Sequence, residues 1–173
     1  PQGVLCVLKQ FHYNIEEMLR DKAPLFLLLE NIQDPGNLGT MLRTGEGAGV
    51  SGIIMSRDTV DLYNPKVIRS TMGTIYRVPF YYADDFAAAV HQVQQAGVSV
   101  YAAHLRGKNS YACQDYTKGT AFLIGNEGNG LREETAELAD CYIRIPMEGK
   151  VESLNAAVAS SILMYEAHRQ RAI

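Results

Sequence analysis

The sequence predicts one α/β domain in which a mostly parallel sheet is flanked by helices. Short apolar runs alternate with segments of helical periodicity along the 173 residues, and this alternation is typical of parallel sheets. The run Leu25–Leu29 is apolar at every position, as expected for a strand that is buried on both faces. No internal repeat or linker-like stretch divides the chain, so residues 1–173 are interpreted as a single domain.

The strands are predicted from apolar runs that are short and bounded by turn-forming residues. In chain order they cover residues 25–29, 52–55, 76–81, 98–103, 120–124 and 142–145. Residues 1–10 are also largely apolar, and we expect an edge strand or a lead-in there. A polar loop is predicted for residues 106–110.

The helices are predicted from capping residues and apolar spacing. Asn37 is predicted as the N-cap of a helix that reaches Ala48 and is closed by Gly49. Glycines inside this helix cost about 1 kcal/mol each against alanine, which predicts either tight helix–sheet packing or a close approach by a ligand or another chain. They are Gly39, Gly45 and Gly47. The other predicted helices cover residues 11–22, 66–72, 84–96 (with Asp84 or Asp85 as its start), 131–139 and 153–171.

The closing helix has a wide apolar stripe, which predicts burial on more than one side. The stripe consists of Leu154, Val158, Ile162 and Tyr165, beside Ala159 and Leu163. Small residues in the same helix predict close packing, either on the chain's own sheet or at a subunit interface. They are Ala156, Ala157, Ala159 and Ser160.

Composition limits the classes of function. The net charge of −3 argues against a chain coated with positive charge, but it leaves room for a local basic patch that binds phosphates. The candidate phosphate contacts are Lys66, Arg69, Arg106, Lys108 and Arg132. The chain has no run of 18 apolar residues, so no membrane span is expected. Scattered cysteines and histidines predict reduced thiols, a cytoplasmic protein and no metal site.

Two glycine-rich stretches suggest ligand binding, and their context separates them. Residues 45–49 imitate part of a dinucleotide fingerprint, but they lie late in a predicted helix, which disfavours a nucleotide-binding oxidoreductase. Residues 125–130 follow a strand and precede a helix, yet they lack the Lys-Ser/Thr ending of a phosphate-binding loop. Glu127 within this loop would repel a phosphate, so a positively charged ligand such as S-adenosylmethionine fits better.

Three stretches closely resemble the signature motifs of the SpoU (TrmH-type) RNA ribose methyltransferases. The first contains DPGNLG at residues 34–39 and an arginine, Arg43. The second is IGNEGNGL at residues 124–131, and the third runs from IPM at 145–147 to ESLNAAVA at 152–159. They follow the family's order and span nearly the whole chain from Leu25 onward.

The resemblance implies a SPOUT-type fold with a C-terminal trefoil knot, S-adenosylmethionine as methyl donor, an RNA substrate and a homodimer. It implies that backbone around the knot cradles the cofactor. The implied cofactor-binding residues are Leu105, Gly107, Gly125, Asn126, Gly128, Ile145, Met147 and Leu154. It also implies that residues 1–23 are a lead-in, with Gly3, Val4, Leu5 and Val7 resembling a linker strand that follows an N-terminal RNA-binding domain.

The residues that match the catalytic positions are Arg43, Asn37, Glu127, Ser153 and Asn155. We interpret Arg43 as binding the target phosphate and stabilising a developing alkoxide, because a guanidinium stays protonated in proteins and is a poor base. A plain ion pair with Glu46 is the alternative for Arg43. Asn37 is expected to orient Arg43 or the RNA, and Glu127 to hold Arg43 or a ribose, either within one chain or across a dimer. Ser153 or Asn155 caps the closing helix, and either one contacts the ribose or Arg43.

The expected function is methylation of a ribose 2′-hydroxyl in structured RNA, with ribosomal RNA preferred over tRNA. Two other readings stay open at this point. One is a catalytically silent RNA-binding protein on the same fold, and the other is a methyltransferase that acts on a base nitrogen.

Overall fold

The computed structural model describes residue 3 and residues 6–172. Within them the strands form one parallel sheet of 7 strands in the order β3-β2-β1-β6-β4-β7-β5. The strands are β1 Leu25–Leu29, β2 Gly52–Ser56, β3 Phe80–Ala83, β4 Ser99–Ala103, β5 Asn109–Ser110, β6 Thr120–Ile124 and β7 Cys141–Arg144.

Helices cover both faces of this sheet, which confirms the predicted α/β class. They are α1 Ile15–Met18, α2 Pro35–Ala48, α3 Pro65–Thr71, α4 Phe86–Gln95, α5 Glu133–Ala136 and α6 Ala156–Arg171, with 3₁₀ turns at Thr74–Tyr76 and Tyr111–Cys113. No helix of the described residues is both long enough and apolar enough to cross a membrane. The trefoil knot stays a prediction of the resemblance.

The core has two apolar clusters, one on each face of the sheet. β1 and β6 pair along their whole length at the centre and are buried at every position. One cluster includes residues of α2 and α6, such as Leu38 and Met164, and the other includes residues of α4, such as Val90. Strands buried on both faces explain why their sequences are continuously apolar.

Helix α2 begins earlier than predicted, and Asn37 is not its cap. The Asp34 side chain accepts the backbone N–H of Asn37 at 2.7 Å, and Pro35 occupies the start of the helix. Proline suits this position because its missing N–H has no partner there in any helix. The predicted end is confirmed: Gly49 has φ 78°, a conformation that glycine adopts without strain.

The glycines inside α2 mark close packing, as predicted, but the neighbours are helices and not the sheet. A Cβ on Gly39 would lie 1.9 Å from the Ser70 hydroxyl of α3. At Gly45 it would meet Val50 at 3.4 Å and Met164 of α6 at 3.7 Å. Neighbouring helices therefore approach α2 from both sides, and at Gly39 no larger side chain fits.

Several other predicted elements are shorter or different. The strand predicted at 76–81 is wrong in its first half, because Val78 and Arg77 donate to the Thr74 carbonyl and close a turn. The helices predicted at 11–22 and 131–139 reduce to four residues each. The loop predicted at 106–110 contains β5, a strand of 2 residues, too short to leave an apolar run. Residues 6–10 form no strand, and the rest of the lead-in and linker prediction falls on residues 1, 2, 4 and 5, outside the described residues.

The stripe predicted to bury α6 lies largely on its outer face. Val158 and Tyr165 are 49% and 50% exposed. The buried face consists of Ala156, Ala157, Ser160, Leu163, Met164 and Ala167. Small residues form most of the buried face because they let α6 approach α2 closely. The close packing predicted for Ala156, Ala157 and Ser160 therefore occurs within the chain.

The end of α6 is attached to the sheet by one guanidinium. Arg171 donates only to backbone carbonyls, at 2.6 to 3.2 Å. These carbonyls belong to Ala23, Pro24, Tyr116 and Lys118. They lie before β1 and β6, at the amino ends of the central strands, and burial lowers the pKa of Arg171.

Arg171→Ala is expected to lower the free energy of unfolding by about 3 kcal/mol, because four backbone carbonyls, two of them in partly buried bonds, lose a charged donor. Urea denaturation measures this value. Arg169→Ala is the matched control, since Arg169 pairs on the surface with Glu166, and such pairs contribute about 0–1 kcal/mol. Equal losses for the two variants would contradict the prediction.

Candidate active site

A cleft of about 310 Å³ opens at the carboxyl ends of β4, β6 and β7. Its walls are the segments that follow these strands, around Leu105, Gly125–Leu131 and Ile145–Leu154. Crevices at the carboxyl ends of parallel strands are the usual ligand sites of open α/β sheets, and this volume lies at the lower end of small-molecule sites.

The loop after β6 is folded tightly over its own backbone. Asn126 and Gly130 exchange two backbone hydrogen bonds of 3.1 and 2.9 Å. A Cβ on Gly125 would lie 2.2 Å from the backbone of Gly130 and Leu131, so no other residue fits there. The loop therefore presents main chain to the cleft.

Seven of the eight predicted cofactor-binding residues line this cleft. They are Leu105, Gly125, Asn126, Gly128, Ile145, Met147 and Leu154. Gly107 is not among the lining residues. A Cβ there would lie 2.8 Å from the carbonyl carbon of Ile143, so a glycine is needed for packing against β7, and the contact of Gly107 with the cofactor stays a prediction.

The Asn126 side chain holds the loop together. Its Oδ1 accepts the backbone N–H groups of Gly128 at 2.9 Å and Asn129 at 3.0 Å. Its Nδ2 donates to the Asn31 carbonyl at 2.8 Å. The Asn126 side chain is thus engaged within the chain, as its backbone N–H and carbonyl already are with Gly130.

Glu127 joins the second motif to the first. Its carboxylate accepts the backbone N–H groups of Gln33 at 3.1 Å and Asp34 at 3.0 Å, and the Asn37 side-chain amide at 3.0 Å. The expectation that Glu127 holds Arg43 is wrong within this chain, because these three donors use its oxygens. Partial burial raises the pKa of Glu127, but the hydrogen bonds outweigh it, and the pKa lies below the ordinary 4.5.

Asn37 and Asn155 join the first motif to the third. The Asn155 Nδ2 donates to Asn37 Oδ1 at 3.0 Å. The Asn155 Oδ1 caps α6 by accepting the N–H groups of Ala157 and Val158. Asn155, not Ser153, is thus the cap, while Ser153 lines the cleft. A shallow polar pocket beside the cleft is lined by Asn37, Glu127 and Asn155 together.

Arg43 is separate from these groups. It is exposed on α2, lines neither pocket, and makes no ion pair or side-chain hydrogen bond within the described part of the chain. The alternative ion pair with Glu46 is wrong, because Glu46 pairs with Arg77. The structure therefore brings Asn37, Glu127 and Asn155 together but leaves Arg43 outside.

Two of the candidate phosphate contacts already have carboxylate partners. Arg132 pairs with Glu30 and Asp58, and Arg106 pairs with Glu133. Lys66 and Arg69 are exposed on α3, and they stay candidates.

His104 is a cleft residue that the sequence analysis missed. It follows β4 and lines the cleft, and its ring lies 5.1 Å from that of Tyr142. Its Nδ1 accepts the backbone N–H of Arg106 at 3.2 Å. Burial, and then the Arg106 charge, lower the pKa of His104, which favours the neutral imidazole. Its place directly after a predicted strand was the signal that could have found it.

The fold and the cleft define the class: a parallel α/β domain of the SPOUT methyltransferase type, with a ligand cleft at the carboxyl ends of β4, β6 and β7. The chain belongs to the SpoU rRNA Methylase family, whose model matches residues 24–165.

Named relatives agree with this class. The 23S rRNA (guanosine-2'-O-)-methyltransferase RlmB of Bordetella pertussis is 35% identical over 98% of this chain and 71% of its own length. The 23S rRNA (guanosine(2553)-2'-O)-methyltransferase RlmP of Bacillus subtilis is 36% identical over 80% of this chain and 56% of its own length.

A solved structure gives the same fold with a cofactor bound. The SpoU methyltransferase AviRb from Streptomyces viridochromogenes, in complex with AdoMet, has a TM-score of 0.85 and 30% identity. The match covers 92% of this chain and 62% of AviRb. The chain thus spans between 56% and 71% of the lengths of these proteins.

Proposed function

We propose that this chain transfers a methyl group from S-adenosylmethionine to a ribose 2′-hydroxyl of RNA, with ribosomal RNA as the preferred substrate. The observation that carries the proposal is the cleft formed by the loops after β4, β6 and β7, whose walls include the second and third motifs. Glu127 and Asn37 tie the first motif to it. The names of the relatives favour ribosomal RNA over tRNA.

The residues of the cleft fit the methyl donor. Backbone of the glycine loop supplies hydrogen-bonding groups, and Leu105 and Met147 supply apolar surface at the mouth. A neutral His104 adds no positive charge beside a sulfonium. When bound, S-adenosylmethionine supplies an activated methyl group. The protein's part is to place the ribose oxygen in line with it, which can account for a large part of the rate acceleration.

Ser153 and the polar pocket are proposed to receive the target nucleotide. Asn37 and Asn155 are held in fixed orientations by each other and by Glu127. Their remaining hydrogen-bonding groups are therefore oriented before a nucleotide binds. Ser153, two positions before Asn155, lines the cleft itself. Fixed polar groups need little reorganisation during the reaction.

We also propose that the protein is a homodimer and that α6 forms part of the interface. Val158 and Tyr165 expose an apolar face beside Arg43, since Tyr165 reaches Gly47, one turn after Arg43 on α2. A second copy packed on this face would bring its own Arg43 to the site of the first copy, which the Arg43 of the first copy does not line.

The functional proposal is tested by incubating the chain with methyl-labelled S-adenosylmethionine and transcripts of ribosomal RNA or tRNA. The expected product contains label in nuclease-resistant dinucleotides, because a 2′-O-methyl group blocks the adjacent phosphodiester from cleavage. Label on a base would replace the proposal with base methylation, and cofactor-independent RNA binding without label would favour a silent RNA-binding protein.

The dimer is tested with Ile162→Glu, which places a charge on the half-buried part of the α6 face. Sedimentation velocity is expected to show a dimer for the wild type and a monomer for the variant, because a buried unpaired charge is costly. Leu8→Glu is the control, since Leu8 is 68% exposed elsewhere. A wild-type monomer at micromolar concentration would contradict the proposal.

Three further assignments are proposed with the function. Residues 1–173 form one catalytic domain in which residues 1–23 are a lead-in, supported by the family match that starts at residue 24. A knotted C-terminal end and a cytoplasmic location are proposed with it, the latter supported by the three free cysteines.

A further inference from the structure

A buried carboxylate lies beneath the loop that walls the cleft. Glu30 follows β1 directly and is 1% exposed. Its Oε2 accepts the backbone N–H of Arg132 at 2.8 Å, and its Oε1 accepts the Thr135 hydroxyl. Burying a carboxyl group is costly unless donors satisfy its oxygens, so these two contacts explain how Glu30 is accommodated.

The two donors stand where the loop leaves the cleft. Arg132 is the N-cap of α5 and directly follows Leu131, which lines the cleft. Leu131 and Gly130 pass so close to Gly125 that a Cβ there would lie 2.2 Å away. A shift of Arg132 would therefore move the part of the loop that lines the cleft.

The Arg132 side chain extends the same connection to β2. Its guanidinium reaches Glu30 Oε1 at 3.5 Å and pairs with Asp58. Asp58 in turn accepts the Ser56 hydroxyl at 2.5 Å, and Ser56 is the last residue of β2. The loop is thus connected to the carboxyl ends of β1 and β2.

We propose that Glu30 is a positioning residue of the cofactor site. By holding the Arg132 N–H and the Thr135 hydroxyl, Glu30 fixes the Gly125–Leu131 loop in the shape that contacts the cofactor. Glu30 is not among the residues that line the cleft, so it acts through the loop. The inference rests on the proposed function, because it takes the cleft as the site of S-adenosylmethionine.

Glu30→Gln tests the proposal with little change in volume. The amide N–H₂ replaces an acceptor: it faces either the Arg132 N–H, which cannot accept it, or the Thr135 hydroxyl, which must then change from donor to acceptor, and the negative charge is lost in both cases. Calorimetric titration is expected to give a dissociation constant for S-adenosylmethionine at least about 10-fold higher than that of the wild type, because a charge-assisted contact is lost. Hydrogen exchange of the cofactor-free protein is expected to show faster exchange at the Gly130 and Arg132 amides.

Thr135→Val is the milder variant, and it decides the question if Glu30→Gln does not fold. It removes one donor and keeps the shape of the side chain, so an increase of about 3-fold in the dissociation constant is expected. Arg171→Ala is the control for lost stability, since its contacts lie at the opposite ends of the strands. It is expected to lower stability and leave the dissociation constant unchanged.

The outcomes separate this inference from the proposed function. Unchanged affinity and unchanged loop exchange in Glu30→Gln and Thr135→Val would overturn the role of Glu30 while leaving the function intact. Failure of the wild type to bind S-adenosylmethionine would contradict the proposed function. Hydrogen exchange would still test Glu30: faster exchange at the Gly130 and Arg132 amides of the variants would support its role in holding the loop, and unchanged exchange would contradict it.

Discussion

Arg43→Ala is expected to reduce kcat by about 10²–10³-fold, the usual effect of removing one donor to a developing oxyanion. The dissociation constant of S-adenosylmethionine is expected to stay within about twofold of the wild-type value, because Arg43 does not line the cleft. Stability is also expected to be unchanged, since the exposed guanidinium has no partner among the described residues. Single-turnover methylation and calorimetry measure the two constants.

The controls for Arg43 separate charge from geometry. Arg43→Lys keeps the charge but loses the planar fork, so most of the loss is expected to persist if Arg43 binds a phosphate with two donors. Lys66→Ala removes another exposed cation of the neighbouring helix, and we expect a change only in RNA affinity. Equal losses of turnover and cofactor affinity in Arg43→Ala would refute the assignment.

Glu127→Gln is expected to lower the free energy of unfolding by about 2 kcal/mol, since one of the donors that its carboxylate accepts must then face an amide N–H₂. Activity is expected to fall about 10-fold or more in kcat/KM, because the first motif is no longer held against the second. Glu134→Gln is the matched control, an exposed carboxylate of α5. Wild-type stability and kinetics in Glu127→Gln would contradict the prediction that Glu127 holds the first motif against the second.

The same variant tests the pH dependence. The folded-state pKa of Glu127 lies below its ordinary value of 4.5. Its contribution to stability is therefore present above the unfolded-state pKa and is lost as the pH falls through the folded-state pKa. The difference in free energy of unfolding between wild type and Glu127→Gln is expected to be constant near neutral pH and to shrink below a pH of about 4.5. Denaturation at several pH values measures it, and a difference that persists undiminished to pH 3 would contradict the prediction.

Elements governed by neighbouring residues were predictable from the sequence. Continuous apolar runs identified β1 and β6, and Gly49 marked the end of α2. The error at Asn37 arose because two capping residues lie three apart. Asp34 is the cap because Pro35 after it suits the first position of a helix, where its missing N–H would have no partner in any case.

Faces and partners were less predictable. The apolar stripe of α6 suggested its buried side, yet the side that packs against α2 is formed largely by alanines and Ser160. Periodicity shows which residues share a face of a helix. It does not show whether the buried face is the one with larger side chains or the one that allows a closer approach between helices. Glycines in α2 correctly predicted a close neighbour, although nothing near them in the chain names Ser70.

The sequence by itself determined the order of elements, the glycine loop after β6 and the motif residues of the candidate site. Only the tertiary structure decided how those residues connect. Glu127 reaches Asn37 across 90 positions and Asn155 reaches Asn37 across 118, while Arg43, only six positions from Asn37, stays apart. Contacts of this kind depend on which strand ends lie side by side in the sheet, and local chemistry does not encode that order.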